Sequence, residues 1–287
     1  MRDPLFSIVV PCKQLRRVVR RFLILHYDEP ELSTFNAAIT GYNLIGWLYA
    51  GRATGWFNGH KLPWIDAPTL HADGVLYDED VHVMFEGPFG QIFIEFTATG
   101  FYELTGISGE KYAGSGVILD IEQFPAGQEI FALMAHSAEH AQPDMADALC
   151  AQLERTLVRM LPNCKPVPDY IRKAVAAIEE CDGNIQLASL MKDIPVTPQH
   201  FSRYFKYVVG LSPKKWAKVL KMNKALGALI AEDGMSLTTA AHDAGYFDQP
   251  HFTRAVKDLM HISPGRLVNQ NDTVVPEFIG RPKVLTD

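Results

Sequence analysis

Two groups of polar and basic side chains recur in the last third of the 287-residue sequence. Gln199 and Gln249 stand 50 positions apart, and Arg203 and Arg254 stand 51 apart. Glutamine can form two hydrogen bonds with adenine and arginine two with guanine, while lysine adds charge that attracts phosphate. The sequence therefore predicts a DNA-binding site made of Gln199, His200, Ser202, Arg203, Lys206, Gln249, His251, Thr253, Arg254 and Lys257.

Short helices with clear start signals must position these side chains. Thr197-Pro198 and Ser212-Pro213 each combine a capping residue with proline at the first helical position, and Ser236 and Asp248 are further capping residues. We predict reading helices over 198–207 and 249–260, preceded by shorter helices over 185–192 and 237–243. Each pair is a helix-turn-helix unit, the arrangement that places its second helix in the major groove.

The helix between the two units sets their separation. It is predicted from Pro213 to about Ala231, and 19 helical residues span about 28 Å. One turn of B-DNA measures about 34 Å, so two reading helices at this separation can enter successive major grooves on one face of the duplex.

Several motifs in this region resemble the DNA-binding domain of the AraC/XylS family. They are the runs 201–206 and 210–213 in the first half, and 240–248, 251–254 and 262–264 in the second. The resemblance covers residues 169–268 and implies a transcription regulator that reads DNA with Gln199, Ser202, Arg203, Gln249 and Arg254. The partners it implies are double-stranded DNA, a small-molecule effector, RNA polymerase and a second copy of the chain.

Four positions depart from the family pattern. Pro195 replaces a turn glycine, Gln186 a capping serine or threonine, His261 a glycine, and Val256 a phenylalanine. Proline cannot adopt a positive φ, so the geometry of the first turn is an open question.

The overall architecture is predicted as α+β, with four parts along the chain. Residues 1–161 form a β-rich, sandwich- or barrel-like domain for effector sensing or dimerisation, with a helical bridge at its end. Residues 162–168, which hold three prolines, form a linker. Residues 169–268 form an all-α domain with the two helix-turn-helix units, and residues 269–287 form a tail.

Local patterns suggest individual elements of the N-terminal domain. Alternating apolar residues over 81–85 and 92–96, separated by Gly87-Pro88-Phe89-Gly90, predict a hairpin. Residues 15–21 have the spacing of a short basic helix. Leucines at helical spacing predict an amphipathic helix over 144–161, whose apolar stripe serves either as a packing face or as a dimer interface. Trp47, Tyr49, Trp56, Phe57 and Trp64 either line an effector pocket or pack the core.

Composition limits the remaining classes of function. The net charge of −6 divides into −9 on residues 1–164, +4 on residues 165–270 and −1 on residues 271–287, as expected for a basic DNA-binding module joined to an acidic domain. The sequence lacks a membrane-spanning apolar run and a secretory pattern, which predicts a cytoplasmic protein without membrane contact. The four cysteines form no CxxC pair and are interpreted as reduced structural thiols, with redox sensing as the alternative.

Two other functions compete with regulation by an effector. His136, Glu139 and His140 match the H-x-x-E-H motif of a class of zinc peptidases, which would make the chain a metallohydrolase. Alternatively, the chain is an architectural or adaptor protein that binds DNA without sensing. No third zinc ligand is identifiable, so we expect a protein that is not an enzyme and needs no metal or cofactor.

Overall fold

The computed structural model describes residues 5–27, 33–119, 128–129, 132, 145–232, 234–269 and 279. The N-terminal part is a single antiparallel sheet whose main path runs β1-β2-β8-β4-β7-β9. Short strands extend it, because β3 pairs with β8 while β5 and β6 pair with β4. Its strands are β1 Leu5–Val9, β2 Val19–Tyr27, β3 Ser33–Asn36, β4 Leu44–Phe57, β5 His60–Lys61, β6 Ile65–Asp66, β7 Thr69–Asp73, β8 Val81–Phe96 and β9 Gly116–Ile118.

The remaining secondary-structure elements of the described chain are helices. Two accompany the sheet, α1 Gly100–Thr105 and α2 Met145–Met160, and a 3-10 turn over Leu161–Asn163 leads out of α2. The C-terminal region then contains α3 Asp169–Glu180, α4 Leu187–Leu190, α5 Pro198–Val209, α6 Pro213–Ala231, α7 Leu237–Asp243, α8 Gln249–Met260 and α9 Pro264–Asn269. The β-rich N-terminal part and the helical C-terminal part confirm the predicted α+β class.

Both faces of the sheet are buried along most of β2, the first six residues of β4 and the last eight of β8, where most positions are apolar. On one face, Ile24, Trp47 and Ile92 belong to a core that also receives Leu153 and Leu157 from α2. The apolar stripe of α2 therefore packs inside its own chain at these two leucines, as one of the two interpretations predicted. The side chain of Leu149 lies outside the described residues.

The predicted hairpin over 81–96 is wrong. These residues form one continuous strand, β8, whose two ends pair with different neighbours on one side. Residues 82–85 pair with β3, whereas residues 89–96 pair with β2. Gly87 has φ +76°, and the register of β4 against β8 shifts twice between Leu48 and Arg52. The Gly-Pro segment thus marks an irregularity in a strand that stays paired with β4 on both sides of it.

The predicted helix over 15–21 is also wrong. Leu15 and Val18 lie in tight turns, and Val19 starts β2 by pairing with Phe96 of β8. Leu15, Val18 and Val19 are all fully buried in the sheet core. Burial on the sheet and pairing with β8 outweigh the local helical spacing.

The two parts of the chain share one hydrophobic core. Ile39, Tyr42 and Val75 from the sheet domain belong to the same buried cluster as Trp216 and Val219 of α6. Val167, in the predicted linker, is buried in this cluster too. The helical region is therefore packed directly against the sheet domain.

A buried ion cluster stabilises the sheet near this junction. Glu95 on β8 is fully buried and accepts hydrogen bonds from Arg20, at 2.8 Å, and from Arg21. Burial alone would raise the pKa of Glu95, but the charges of Arg21 and Arg20 hold it below its ordinary value of 4.5.

We expect this cluster to make the fold acid-labile. A carboxylate whose pKa is lowered by folding adds stability above its unfolded pKa of about 4.5, and this stability is lost as the pH falls through the lower folded pKa. The urea midpoint of the wild type should therefore drop steeply below about pH 4.5. Glu95→Gln should be less stable at neutral pH and show a shallower acid dependence, whereas Glu86→Gln, at a half-exposed site, should behave like the wild type. Equal acid dependence of the wild type and Glu95→Gln would contradict this assignment.

Candidate nucleic-acid interface

The first predicted reading helix, over 198–207, corresponds to α5. It begins at a cap in which the Thr197 side chain accepts a hydrogen bond from the His200 amide at 3.3 Å, with Pro198 at the first helical position. Phe201 and Phe205 are buried, which fixes the inner face of the helix. The predicted reading residues lie on the other side: Ser202 is half-buried, and the exposed ones are Gln199, His200, Arg203 and Lys206.

The second predicted reading helix, over 249–260, corresponds to α8 and has the same construction. The Asp248 carboxylate caps it by accepting from the His251 amide at 2.7 Å, and Phe252 and Val256 are buried beneath it. The predicted reading residues again lie away from the core, with Gln249 and Thr253 half-buried and His251, Arg254 and Lys257 exposed. Gln249 is already oriented, since its Oε1 accepts a hydrogen bond from Thr238 of α7 at 3.0 Å.

The departures from the family pattern have local consequences. At Gln186 no side-chain cap forms, and the helix it precedes, α4, has only four residues before a 3-10 turn over Met191–Asp193. The predicted helix over 185–192 is therefore shorter than expected. Pro195 follows this turn, and the chain stays extended at Ile194, so the first turn forms without a positive φ.

His261 occupies the left-handed conformation that a glycine would adopt without strain. It ends α8 with φ +56°, and its Nε2 lies 2.7 Å from the carbonyl oxygen of Asp78 in the sheet domain. Only a protonated Nε2 can bond to a carbonyl, so this ring nitrogen is the donor. A strained backbone at the end of the second unit is thus coupled to a contact between the domains.

The sheet domain also contacts the C-terminal end of α5. The amide of Gly109 and the hydroxyl of Ser108 both donate to the carbonyl oxygen of Tyr207, each at 2.9 Å. The carboxylate of Glu110 pairs with the ammonium of Lys206 at 2.9 Å. A predicted phosphate-contacting lysine is therefore paired with an acidic group of the sheet domain.

Releasing Lys206 should strengthen DNA binding. Glu110→Gln removes one negative charge beside the reading helix and leaves the Lys206 ammonium available to phosphate, for an expected gain of about two- to fivefold in affinity. The gain should shrink as salt is raised. The matched control is Glu86→Gln, the same charge change on β8 beside Arg52, which should leave affinity unchanged. Titration of a labelled duplex at two salt concentrations measures both, and weaker binding by Glu110→Gln would refute the expectation.

The sheet domain forms hydrogen bonds with the connecting helix α6 as well. The indole nitrogen of Trp216, which is fully buried, donates to the carbonyl of Gly41 at 2.8 Å. The side-chain amide of Asn223, two turns further along, donates to the carbonyls of Ile39 and Thr40, each at 3.0 Å. The helix that separates the two units is therefore fixed to one loop of the sheet domain, residues 39–43.

The five aromatic residues weighed for an effector pocket do not come together. Trp47 and Tyr49 are buried in the core beneath α2, with their rings 6.3 Å apart. Trp56, Phe57 and Trp64 are only half-buried, and Lys61 lies over the rings of both tryptophans. The indole nitrogen of Trp47 is buried without a hydrogen-bond partner. Sensing by any of these residues stays a prediction.

Other chemical signals are sparse in the described part of the chain. The described residues contain no group of three His, Cys, Asp or Glu side chains able to bind a metal ion. His136, Glu139 and His140 lie outside the described residues, so the predicted zinc motif has no structural account. None of the four cysteines, all of which lie among the described residues, forms a disulfide. None of the described helices combines the length and hydrophobicity needed to cross a bilayer.

Known sequences match parts of the chain. A family model described as a helix-turn-helix domain matches residues 190–270. The arabinose operon regulatory protein of Escherichia coli K12 is 26% identical over 119 residues, which cover 39% of this chain and 40% of that protein. Its counterpart in Salmonella typhimurium LT2 is 25% identical over 101 residues, 34% of this chain and 36% of that protein. The chain thus spans less than half the length of the curated relatives it matches.

Among solved structures, ToxT from Vibrio cholerae resembles this chain with a TM-score of 0.48 and 9% sequence identity, over 86% of this chain and 97% of that one. The sequence matches define the C-terminal region as a helix-turn-helix domain. A helix-turn-helix domain in this region agrees with the resemblance to the AraC/XylS family that its motifs predicted.

Proposed function

We propose that this protein is a sequence-specific DNA-binding transcription regulator. The observation that carries the proposal is the pair of capped helices α5 and α8, which point matching polar residues away from the core on either side of a 19-residue helix. Phosphate contacts by Lys206 and Lys257 would position the domain, and Gln199, Arg203, Gln249 and Arg254 would read bases in successive major grooves.

We also propose that the sheet domain controls this activity in response to a small molecule. Support comes from the way the sheet domain contacts both units. It bonds to Tyr207 at the end of α5, to His261 at the end of α8, and to Trp216 in between. A change in the sheet domain that alters these contacts would change the placement of both reading helices together. An architectural protein that only binds DNA needs no such coupling.

The remaining partners follow from the family rather than from particular contacts. A regulator of this family would act in the cytoplasm, where it meets the chromosome and RNA polymerase, and two copies would occupy adjacent half-sites. Because the matched relatives are regulatory proteins, the proposal does not include the alternative of a zinc hydrolase.

Selection of duplexes from a random library by the purified full-length protein tests the proposal. We expect enrichment of a motif with two conserved blocks about one helical turn apart, near 10 base pairs. Genome-wide footprinting should then find that motif upstream of genes. A selection that yields no motif, or one short block only, would exclude the double reading site. Small molecules that raise the melting temperature in a saturable way would identify the effector class and separate a sensor from an architectural protein.

A further inference from the structure

One aromatic side chain projects into solvent beside the second reading helix. Phe247 is 91% exposed, whereas the other large apolar residues exposed in the described chain range from 38% to 57%. We propose that Phe247 is a specificity-determining residue that contacts the C5-methyl group of a thymine. The inference rests on the proposed DNA-binding function and adds a residue to the reading set.

Phe247 is displayed by a rigid segment. On its N-terminal side, the carbonyl of Gly245 accepts a hydrogen bond from Lys221 at 2.6 Å, and Tyr246 is buried against Phe252 with the rings 5.2 Å apart. On its C-terminal side, Asp248 caps α8. The backbone is held on both sides, so placing the ring in a groove requires no ordering of the loop.

The first unit uses the same position differently. The residue before the cap of α5 is Val196, which is partly buried and packs against the shared core. In the second unit the corresponding residue is larger, and it does not belong to any of the buried apolar clusters of the described chain. A structural role therefore explains Val196, but it does not explain Phe247.

The location of Phe247 decides which surface it can meet. The N-terminal end of a reading helix approaches base edges in helix-turn-helix complexes, and Phe247 immediately precedes that end of α8. In the major groove thymine alone of the four unmodified bases presents a methyl group, and an apolar side chain such as phenylalanine recognises it by contact. Removing one methyl group from water is worth about a fourfold change in affinity.

Replacement of single thymines by deoxyuridine tests the contact, because uracil lacks only the methyl group. With the full-length protein and a selected operator, we expect one thymine per binding site at which the change weakens wild-type binding about three- to fivefold. Phe247→Ala and Phe247→Ser should bind the thymine and uracil duplexes equally at that position. Leu62→Ser, a similar change at a residue 39% exposed in the sheet domain, should retain the wild-type difference.

The outcomes separate this inference from the function on which it rests. If the wild type binds its operator but no thymine shows the effect, or if both Phe247 variants retain the full loss, Phe247 does not read a methyl group and the regulator assignment stands. If the wild type selects no DNA at all, both proposals fail. Because the ring is exposed, both variants should unfold at the wild-type urea concentration. If Phe247→Ala binds the operator with wild-type affinity and still prefers thymine to uracil, the ring contacts a partner other than DNA.

Discussion

Replacing Trp216 with alanine is expected to lower the free energy of unfolding by about 3–5 kcal/mol, the cost of removing a large buried aromatic side chain. Trp216 is fully buried in the core that the sheet and helical parts share, and its indole nitrogen bonds to Gly41. Its ring also lies edge-on to Tyr42, at 6.1 Å between centroids. Urea denaturation followed by circular dichroism measures the loss.

Two further variants separate the contributions of Trp216. Trp216→Phe keeps most of the apolar contact but cannot donate to Gly41, so it should lose less stability than Trp216→Ala. Trp56→Ala, at a half-buried tryptophan near the end of β4, should cost less than about 1 kcal/mol. A loss below about 1 kcal/mol in Trp216→Ala would show that the two parts of the chain do not depend on their common core.

Replacing Arg254 with alanine is expected to weaken operator binding by about 1–3 kcal/mol, or about 5- to 150-fold, and to relax base preference at one position. Arg254 is exposed on α8 and is free to form the paired hydrogen bonds that select guanine. Arg203→Ala should weaken binding by a similar amount and relax base preference at a position in the other half of the operator. Competition binding against single-base operator variants measures the preference.

Lys257 supplies the control for this prediction. Lys257 is exposed on the same helix, and Lys257→Ala should weaken binding to all sequences similarly. The slope of log affinity against log salt concentration should fall by about one, because one fewer counterion is released on binding. If Arg254→Ala bound more weakly but with unchanged base preference, Arg254 would contact phosphate rather than bases.

The helical region was the more predictable part because its signals are local. Thr197, Ser212, Ser236 and Asp248 all cap helices as expected, since each needs only a backbone amide three residues away. The exposed positions of Arg203 and Arg254 likewise follow from helical periodicity. Helix α4 was the exception: without a capping side chain at Gln186 it is shorter than its apolar pattern suggested.

The sheet domain was less predictable because its structure depends on residues far apart in sequence. Gly87-Pro88 has the composition of a hairpin turn, but β4 pairs with β8 on both sides of it and holds the strand together. The ion pair between Lys206 and Glu110 joins residues 96 positions apart, and no local sequence pattern predicts it. The exposure of Phe247 was not predicted for another reason: an apolar residue before a cap ordinarily packs against the helix, and tertiary structure rather than local sequence leaves this one in solvent.

The common core limits how this chain can be divided into separate fragments. Cutting the chain before Asp169 would remove Ile39, Tyr42 and Val75, which pack against the helices. It would leave an exposed apolar surface around Trp216 and Val219. A fragment of that kind is prone to aggregate, so its failure to bind DNA would say little about α5 and α8. Chimeras that graft a foreign sensory module onto these helices must bring a matching version of the 39–43 loop with them.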